Sequence, residues 1–248
     1  MQRLNVLNPH HEGDEGSRKN KVLVKRTGCV RCGSCCSSSS PMLLKDDMPL
    51  FISNLLNDTN TYTVRSGEPL YNIREQALHF APFEIIKICE YNGCQMFVRG
   101  IEGPAECAIY ENRPVQCRDY KCWHTEPPME GLEEVRLTRA DLFGTIKPLY
   151  EVITKHEEVC SYEEMADLIS SIEGGAEDMV GALLDMLRFD LTTREFLLGH
   201  FGVSGRAMDL ILGRPLIDRI RLFGLEVVQE GDGFVLRPTE KPPELDND

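Results

Sequence analysis

Apolar positions follow two rhythms along this chain. Up to about residue 130 they come in short runs separated by polar and turn-forming residues; from residue 132 onward they recur at helical spacing. In the first half, Val22-Leu23-Val24 reads as a small strand. Asp46 and Asp47 precede Met48-Pro49-Leu50-Phe51-Ile52 and Leu55-Leu56, a helix start with acidic side chains at its positive end and proline near its first turn. Residues 61–80 are rich in β-branched and aromatic side chains around a Ser66-Gly67 turn, and the short apolar run from Glu84 to Glu90 predicts a further strand. Residues 91–126 hold glycine, proline and charge without a period, and read as loops organised by a metal.

In the second half, Thr138 with Asp141, Ser161 with Glu164 and Thr192 with Glu195 match the spacing of a capping box, taking Asp as equivalent to Glu at the third position. The first helix puts Leu142, Ile146, Leu149 and Ile153 on one face, with a kink expected at Pro148. The second groups Met165, Leu168, Ile169 and Ile172 and stops at Gly174-Gly175. A third runs through Met179, Val180, Leu183 and Leu187. Shorter helices are expected around Phe196-Leu197-Leu198 and from Met208 to Leu212, and another from Pro215 to Gly224. Leu225-Glu226-Val227-Val228, Gly231-Asp232-Gly233 and Phe234-Val235-Leu236 predict a β-hairpin. The fold class is α+β: an irregular, metal-stabilised cysteine-rich module, a mainly helical region and a C-terminal β-hairpin. The expected division is a disordered tail at 1–20, a metal-binding domain at 21–130, a helical region with its hairpin at 132–238 and a disordered acidic tail at 239–248.

Cysteine changes this picture most. Ten are present, and four of them, Cys29, Cys32, Cys35 and Cys36, fall in eight residues as C-x2-C-x2-C-C. A core does not need four thiols on one short loop, whereas thiolate ligation of a soft metal does. The chain has no apolar run of the roughly 20 residues that span a bilayer and no leader of signal-peptide pattern, so a cytoplasmic location with reduced thiols is expected. That disfavours a disulfide framework. A net charge of −13 argues against nucleic acid as a partner.

Further cysteines follow at Cys89, Cys94, Cys107, Cys117, Cys122 and Cys160. A second group some 80 residues after the first suits a cross-braced site fed by two distant loops. In an extended segment the vicinal Cys35 and Cys36 would point opposite ways. They then serve two adjacent centres, or one bridges while the other is terminal, or only one ligates. Cys89 lies in an apolar run and reads as core. His156 and Cys160 share a helix face, and the pair reads as a helix end with a buried thiol rather than half a zinc motif. His124 is an alternative ligand, with a solvent-facing loop position as the simpler reading; His79 and His200 are expected to pack, and His10 and His11 lie in the tail. Nucleotide-binding glycine loops, H-E-x-x-H and a nucleophile elbow are absent from the sequence.

The run from Cys29 to Cys36, then Cys94, then Cys107-Ala-Ile-Tyr-Glu-Asn-Arg-Pro and Cys117-Arg118, resembles the YkgJ-type cysteine-cluster family over residues 25–125. That family carries the C-x2-C-x2-C-C signature and is described as a zinc- or iron-chelating domain. The resemblance implies Cys29, Cys32, Cys35, Cys36, Cys94, Cys107 and Cys117 as chelators, and Cys122 matches a cysteine of some members. Eight thiolates would make two four-sulfur sites, each with a formal charge of about −2 around zinc. Arg31, Arg113, Arg118 and Lys121 lie beside these cysteines and could offset it; Arg113 and Arg118 read first as donors to backbone carbonyls or sulfurs. Four sulfurs suit zinc or an iron–sulfur cluster equally, and the opening matches three ligands of a [4Fe–4S] run before Cys36 departs from it. The expected function is a cytosolic metal-binding protein with the helical region as a surface for an unidentified protein partner. The alternative is an iron–sulfur protein with redox or methyl-transfer activity, through a resemblance to flagellin lysine methylases; no SAM-binding glycine loop accompanies it.

Overall fold

The computed structural model describes residues 28–72, 77–90, 93–98, 106–121, 131–230 and 233–239. The expected strand at Val22 to Val24, the tail at 1–20, the Gly231-Asp232 turn, and all but Thr239 of the acidic tail lie outside them.

A short helix α1 (Met48–Ile52) opens as the pattern predicts, with Pro49 in its first turn. Antiparallel strands follow: β1 (Thr61–Val64), β2 (Pro69–Asn72), β3 (Ala77–Phe80) and β4 (Ile85–Ile88). β1 pairs with β4 and β2 with β3, so the Ser66-Gly67 turn redirects the chain instead of closing a hairpin. Residues 42–44 extend the β1–β4 layer: the Leu43 amide donates to the Ile86 carbonyl at 2.8 Å, and the Leu43 carbonyl accepts from the Leu137 amide at 2.9 Å. Every residue of β1 is buried, threonines included. Their hydroxyls donate to the carbonyls of Asn57 (2.6 Å) and Leu210 (2.7 Å), which removes the cost of burying them.

β5 (Phe97–Val98) pairs with β6 (Glu106–Cys107), and α2 (Val115–Asp119) follows. That helix departs from the expectation of loops through 91–126: Pro114 precedes it, and its first free amide, on Val115, is taken up by buried Asp47 at 2.8 Å. Leu43, Leu56, Ile86, Ile88, Met96 and Ile109 form one apolar core, closed by Leu137 and Leu210 from the later half of the chain.

The helices are α3 (Leu132–Val135), α4 (Arg139–Phe143), α5 (Lys147–Val159), α6 (Tyr162–Glu173), α7 (Met179–His200), α8 (Met208–Ile211) and α9 (Leu216–Arg219). β7 (Leu225–Glu230) and β8 (Gly233–Pro238) close the chain as the expected hairpin. Met165, Ile169, Leu183 and Leu187 fill the α6–α7 interface, and Leu225, Val227 and Leu236 of the hairpin pack on it. Thr138 and Ser161 cap α4 and α6 as predicted. Two expectations change. Pro148 does not kink a helix: α4 ends before Gly144 and Pro148 lies in the first turn of α5, where its missing N–H leaves nothing unsatisfied. Ile146 is thereby left exposed. Thr192 does not start a helix either; α7 runs on through it for 22 residues, and its hydroxyl donates to the Arg188 carbonyl at 2.9 Å.

The reason α7 continues is a buried polar set on its inner face. Asp190 is fully buried; it accepts from Arg194 Nε at 3.1 and 3.2 Å, from the Leu216 amide at 3.1 Å, and meets His156 Nε2 at 2.7 Å. Burial works to raise the Asp190 pKa, but the contacts with His156 and Arg194 outweigh it and leave the carboxyl at about 2. Burial lowers the His156 pKa beneath the usual imidazole value. A neutral His156 therefore donates from Nε2 to an ionised Asp190. Among the described residues no helix is long and apolar enough to cross a membrane.

Both displaced groups are depressed in the fold, so their contribution to stability is present at high pH and lost on acidification. Melting temperature should hold above pH 6.5, the unfolded value for His156, and decline below it, with a further loss as the pH falls from 3.8 towards 2 through Asp190. A His156→Asn variant should lose the first of these slopes in a pH series of thermal melts. An unchanged slope would remove His156 as its source.

Candidate metal centre

The 29–36 loop is shaped by two left-handed residues, Arg31 (φ 55°) and Gly33 (φ 78°). The turn brings the Arg31 amide to 3.4 Å from Cys29 Sγ. The loop then winds back on itself, with the Ser37 amide donating to the Gly33 carbonyl at 2.8 Å. Because the segment turns and is not extended, Cys35 and Cys36 do not point apart: their Sγ atoms lie 3.8 Å from each other. Two sulfurs bound at about 2.3 Å on a tetrahedral ion stand about 3.8 Å apart. The vicinal pair therefore has the spacing of two ligands to one ion. Cys36 as donor pulls the Cys35 thiol down to about 6, and the same hydrogen bond drives Cys36 upward, so the pair shares one proton.

Three clamps bring the other cysteines to this loop. The Cys94 amide donates to the Cys36 carbonyl at 2.7 Å, and Gly93 makes the approach possible. At φ 113° a Cβ on Gly93 would stand 2.5 Å from the Cys36 oxygen. Glu90 forms the second clamp: its Oε1 accepts from the Ser40 amide (2.7 Å), the Ser40 and Ser39 hydroxyls (2.9 and 3.0 Å) and Lys87 Nζ (2.6 Å). The third holds α2. Asp47 Oδ1 takes the Val115 amide and Gln116 Oε1 takes the Met42 amide at 2.7 Å, which fixes Cys117 close behind the first loop. Cys107 arrives through β6, opposite Phe97.

The result is a common field. Cys36 feels Cys35, Cys117 and Cys94; Cys117 feels Cys94, Cys107 and Cys35; Cys94 feels Cys107. Burial pushes Cys94 up to about 11 and Cys117 up to about 12. Tyr110 links the two loops by stacking: the guanidinium carbons of Arg31 and Arg113 each stand 3.8 Å from its ring centroid, which only opposite faces can accommodate. Arg113 Nε also donates to the Tyr110 carbonyl at 2.9 Å, and its charge lowers Cys35 and Cys117.

Of the sequence-derived chelators, Cys35, Cys36, Cys94, Cys107 and Cys117 thus gather in one region, while Cys29 and Cys32 occupy the exposed part of the first loop. Cys122 and His124 lie outside the described residues. Among the described residues no three Cys, His, Asp or Glu side chains are already closed around one point. The donor set nevertheless suits a thiophilic ion: softness, a cationic neighbour in Arg113 and one sulfur pair at ligand spacing. Cys160 is buried at the end of α5, directing its thiol to the Met186 carbonyl at 3.8 Å, and takes no part. Sequence reasoning missed Asp47, Glu90 and Gln116, whose spacing from the cysteines carries no motif.

Against known proteins, a family model named CxxCxxCC and described as a "putative zinc- or iron-chelating domain" matches residues 28–161, more than half of the chain. No curated protein and no solved structure matches.

Gly93→Ala should cost about 2–3 kcal/mol, because the methyl group meets backbone and the loop must move. Gly175→Ala is the control, with a positive φ of 98° and nothing within 4 Å of the added carbon; it should cost about 1 kcal/mol. Denaturant melts that gave equal losses would show that the Gly93 approach to Cys36 is not a constraint.

Proposed function

Because the chain belongs to the CxxCxxCC family, we propose that it holds zinc or iron through thiolates from its two loops, in the cytoplasm. Cys35 and Cys36 supply one edge of the ligand set, and Cys94, Cys107 and Cys117 face it from the second loop. Cys29, Cys32 and Cys122 complete the supply of sulfur. The supporting observation is the 3.8 Å separation of the vicinal sulfurs in a loop clamped to Cys94. A bound ion would supply cross-linking of loops that otherwise meet through hydrogen bonds, the stack on Tyr110 and an exposed Arg31–Glu111 pair, and with it part of the folding free energy.

The chain's own residues prepare this. Arg113 sets positive charge beside Cys35 and Cys117, and the Arg31 amide donates to Cys29 Sγ. Asp47, Glu90 and Gln116 hold the backbone of both loops beside the thiols.

Protein purified without oxygen should contain zinc or iron by elemental analysis. A brown colour with broad visible absorption identifies an iron–sulfur cluster, and a colourless protein with stoichiometric metal identifies zinc. Cys35→Ser and Cys117→Ser should each lose at least half of the metal and melt at lower temperature; Cys160→Ser should keep it. Freshly prepared protein without metal, or equal loss in the Cys160 variant, would defeat the assignment.

A further inference from the structure

A second polar site lies away from the cysteines, where the β1–β2 turn meets the start of α6 and α9. Arg65 and Glu68 of the turn are fully buried, and Tyr162 at the start of α6 is 2% exposed. Arg65 gives Nε and Nη2 to Glu157 at 2.6 and 3.1 Å, and Nη2 also to the Cys160 carbonyl at 2.8 Å. Its guanidinium carbon stands 4.9 Å from the Tyr162 ring centroid. Glu68 takes the Arg65 amide at 2.8 Å on one oxygen and Arg214 Nε at 2.7 Å on the other. Arg219, half-buried on α9, completes the group; it lies within the field of Arg214, Glu68 and Tyr162.

When these bonds are assigned, three donors are left over besides Arg214 Nη2, which lies 2.6 Å from Glu68 Oε1 in an ion pair without hydrogen-bond geometry. Arg65 Nη1, the Tyr162 hydroxyl and Arg219 Nε are buried and have no hydrogen-bond partner among the described residues. A buried donor without an acceptor costs about 1–3 kcal/mol, so three together at one junction call for an external acceptor. The charges agree. Arg65, Arg139, Arg214 and Arg219 face the carboxylates of Glu68, Glu84 and Glu157. Arg139 is served by Glu84 (Nε 2.7 Å) and by Glu157 (Nη2 2.6 Å), and Arg214 by Glu68 and the field of Asp209, which leaves Arg219 without a carboxylate at ion-pair distance among the described residues. Asp218, beside Arg219 on α9, is exposed to solvent. A water molecule could accept one of these bonds, but it brings no charge to two adjacent guanidinium groups.

We propose that Arg65, Tyr162, Arg214 and Arg219 form a binding site for a small oxyanion, a carboxylate or a phosphate. Guanidinium and phenol donors match oxygen acceptors of this kind. Arg214, whose side chain is 26% exposed, and half-buried Arg219 form the solvent-facing side of the group. Glu68 stays paired with Arg214 and limits the site to a weakly bound, small anion.

The test is a thermal melt of the full chain with its metal, in inorganic phosphate or acetate, each against chloride at matched ionic strength. A saturable rise of about 3–5 °C at tenfold over half-saturation is expected for one or both anions, and which anion produces it identifies the class. Arg219→Gln should abolish the rise and leave metal content unchanged; Arg188→Gln, in an exposed pair with Asp185, should preserve it. Tyr162→Phe supplies a separate check. Without either anion it should melt at or above the parent, because it removes an unsatisfied buried hydroxyl, and it should show a smaller anion-dependent rise. No saturable rise with either anion, or the full rise retained in Arg219→Gln, overturns the site.

Discussion

Glu157 joins the two halves of this molecule. It stands on α5 and receives Arg65 from the end of β1 and Arg139 from α4, with both contacts at 2.6 Å. Burial alone would raise its pKa, but the two guanidinium groups overcome that and keep it ionised. Arg65 has no exposed surface, so this partner offsets the cost of burying its charge. Breaking a buried pair by removing one member typically costs about 3–5 kcal/mol, because the other charge is left in a poor dielectric. The arrangement also dictates a glycine. At Gly213 (φ 75°) a Cβ would stand 2.6 Å from Arg65 Cδ, so the α8–α9 connection can pass over the Arg65 stem only without a side chain. Helices and strands are therefore locked by charge at this point and by apolar packing elsewhere, through Leu137 and Leu210 against the β1–β4 core.

The cysteine loops obey a similar logic at their edges. The 29–36 loop is largely exposed and carries little apolar surface, whereas the second is anchored to the core by Met96 and Ile109. Carboxylates tie them down: Asp47 for α2, Glu90 for the 39–40 segment, each accepting backbone amides that would otherwise be unpaired. These contacts fix backbones and leave the thiols free to turn. A loop held in this way pays little entropy when its sulfurs converge, which favours ligation by residues far apart in sequence.

Much of this was legible in the chain itself, where local chemistry decides. The capping residues Thr138 and Ser161, the stop after α6 and the terminal hairpin follow from spacing and turn chemistry alone. The C-x2-C-x2-C-C run announces a metal site by itself. What failed was long-range. Thr192 looks like a helix start, yet Asp190 and Arg194 carry α7 through it because their partners, His156 and the 213–216 segment, come from elsewhere in the fold. Pro148 looks like a kink until Gly144 ends the helix before it. Cys35 and Cys36 point the same way because Arg31 and Gly33 turn the loop, and a left-handed arginine has no sequence signature. Glu157, Arg65 and the unpaired donors around Tyr162 belong to the same class, since a buried ion pair between residues 92 positions apart leaves no local trace.

The pKa displacements explain why this cluster suits a cation. Burial leaves Cys94 and Cys117 as neutral thiols at ordinary pH, and the shared proton does the same for Cys36. A metal takes thiolate, so each of these sulfurs must give up a proton before it can ligate. Burial and mutual repulsion, which push these thiols up, both weaken once a positive ion stands among them. Arg113 supplies one positive charge beside Cys35 and Cys117, a smaller influence on Cys35 than its hydrogen bond with Cys36. A dication among these sulfurs would oppose both effects, and its ligation by them would therefore depend on pH as well as on the metal.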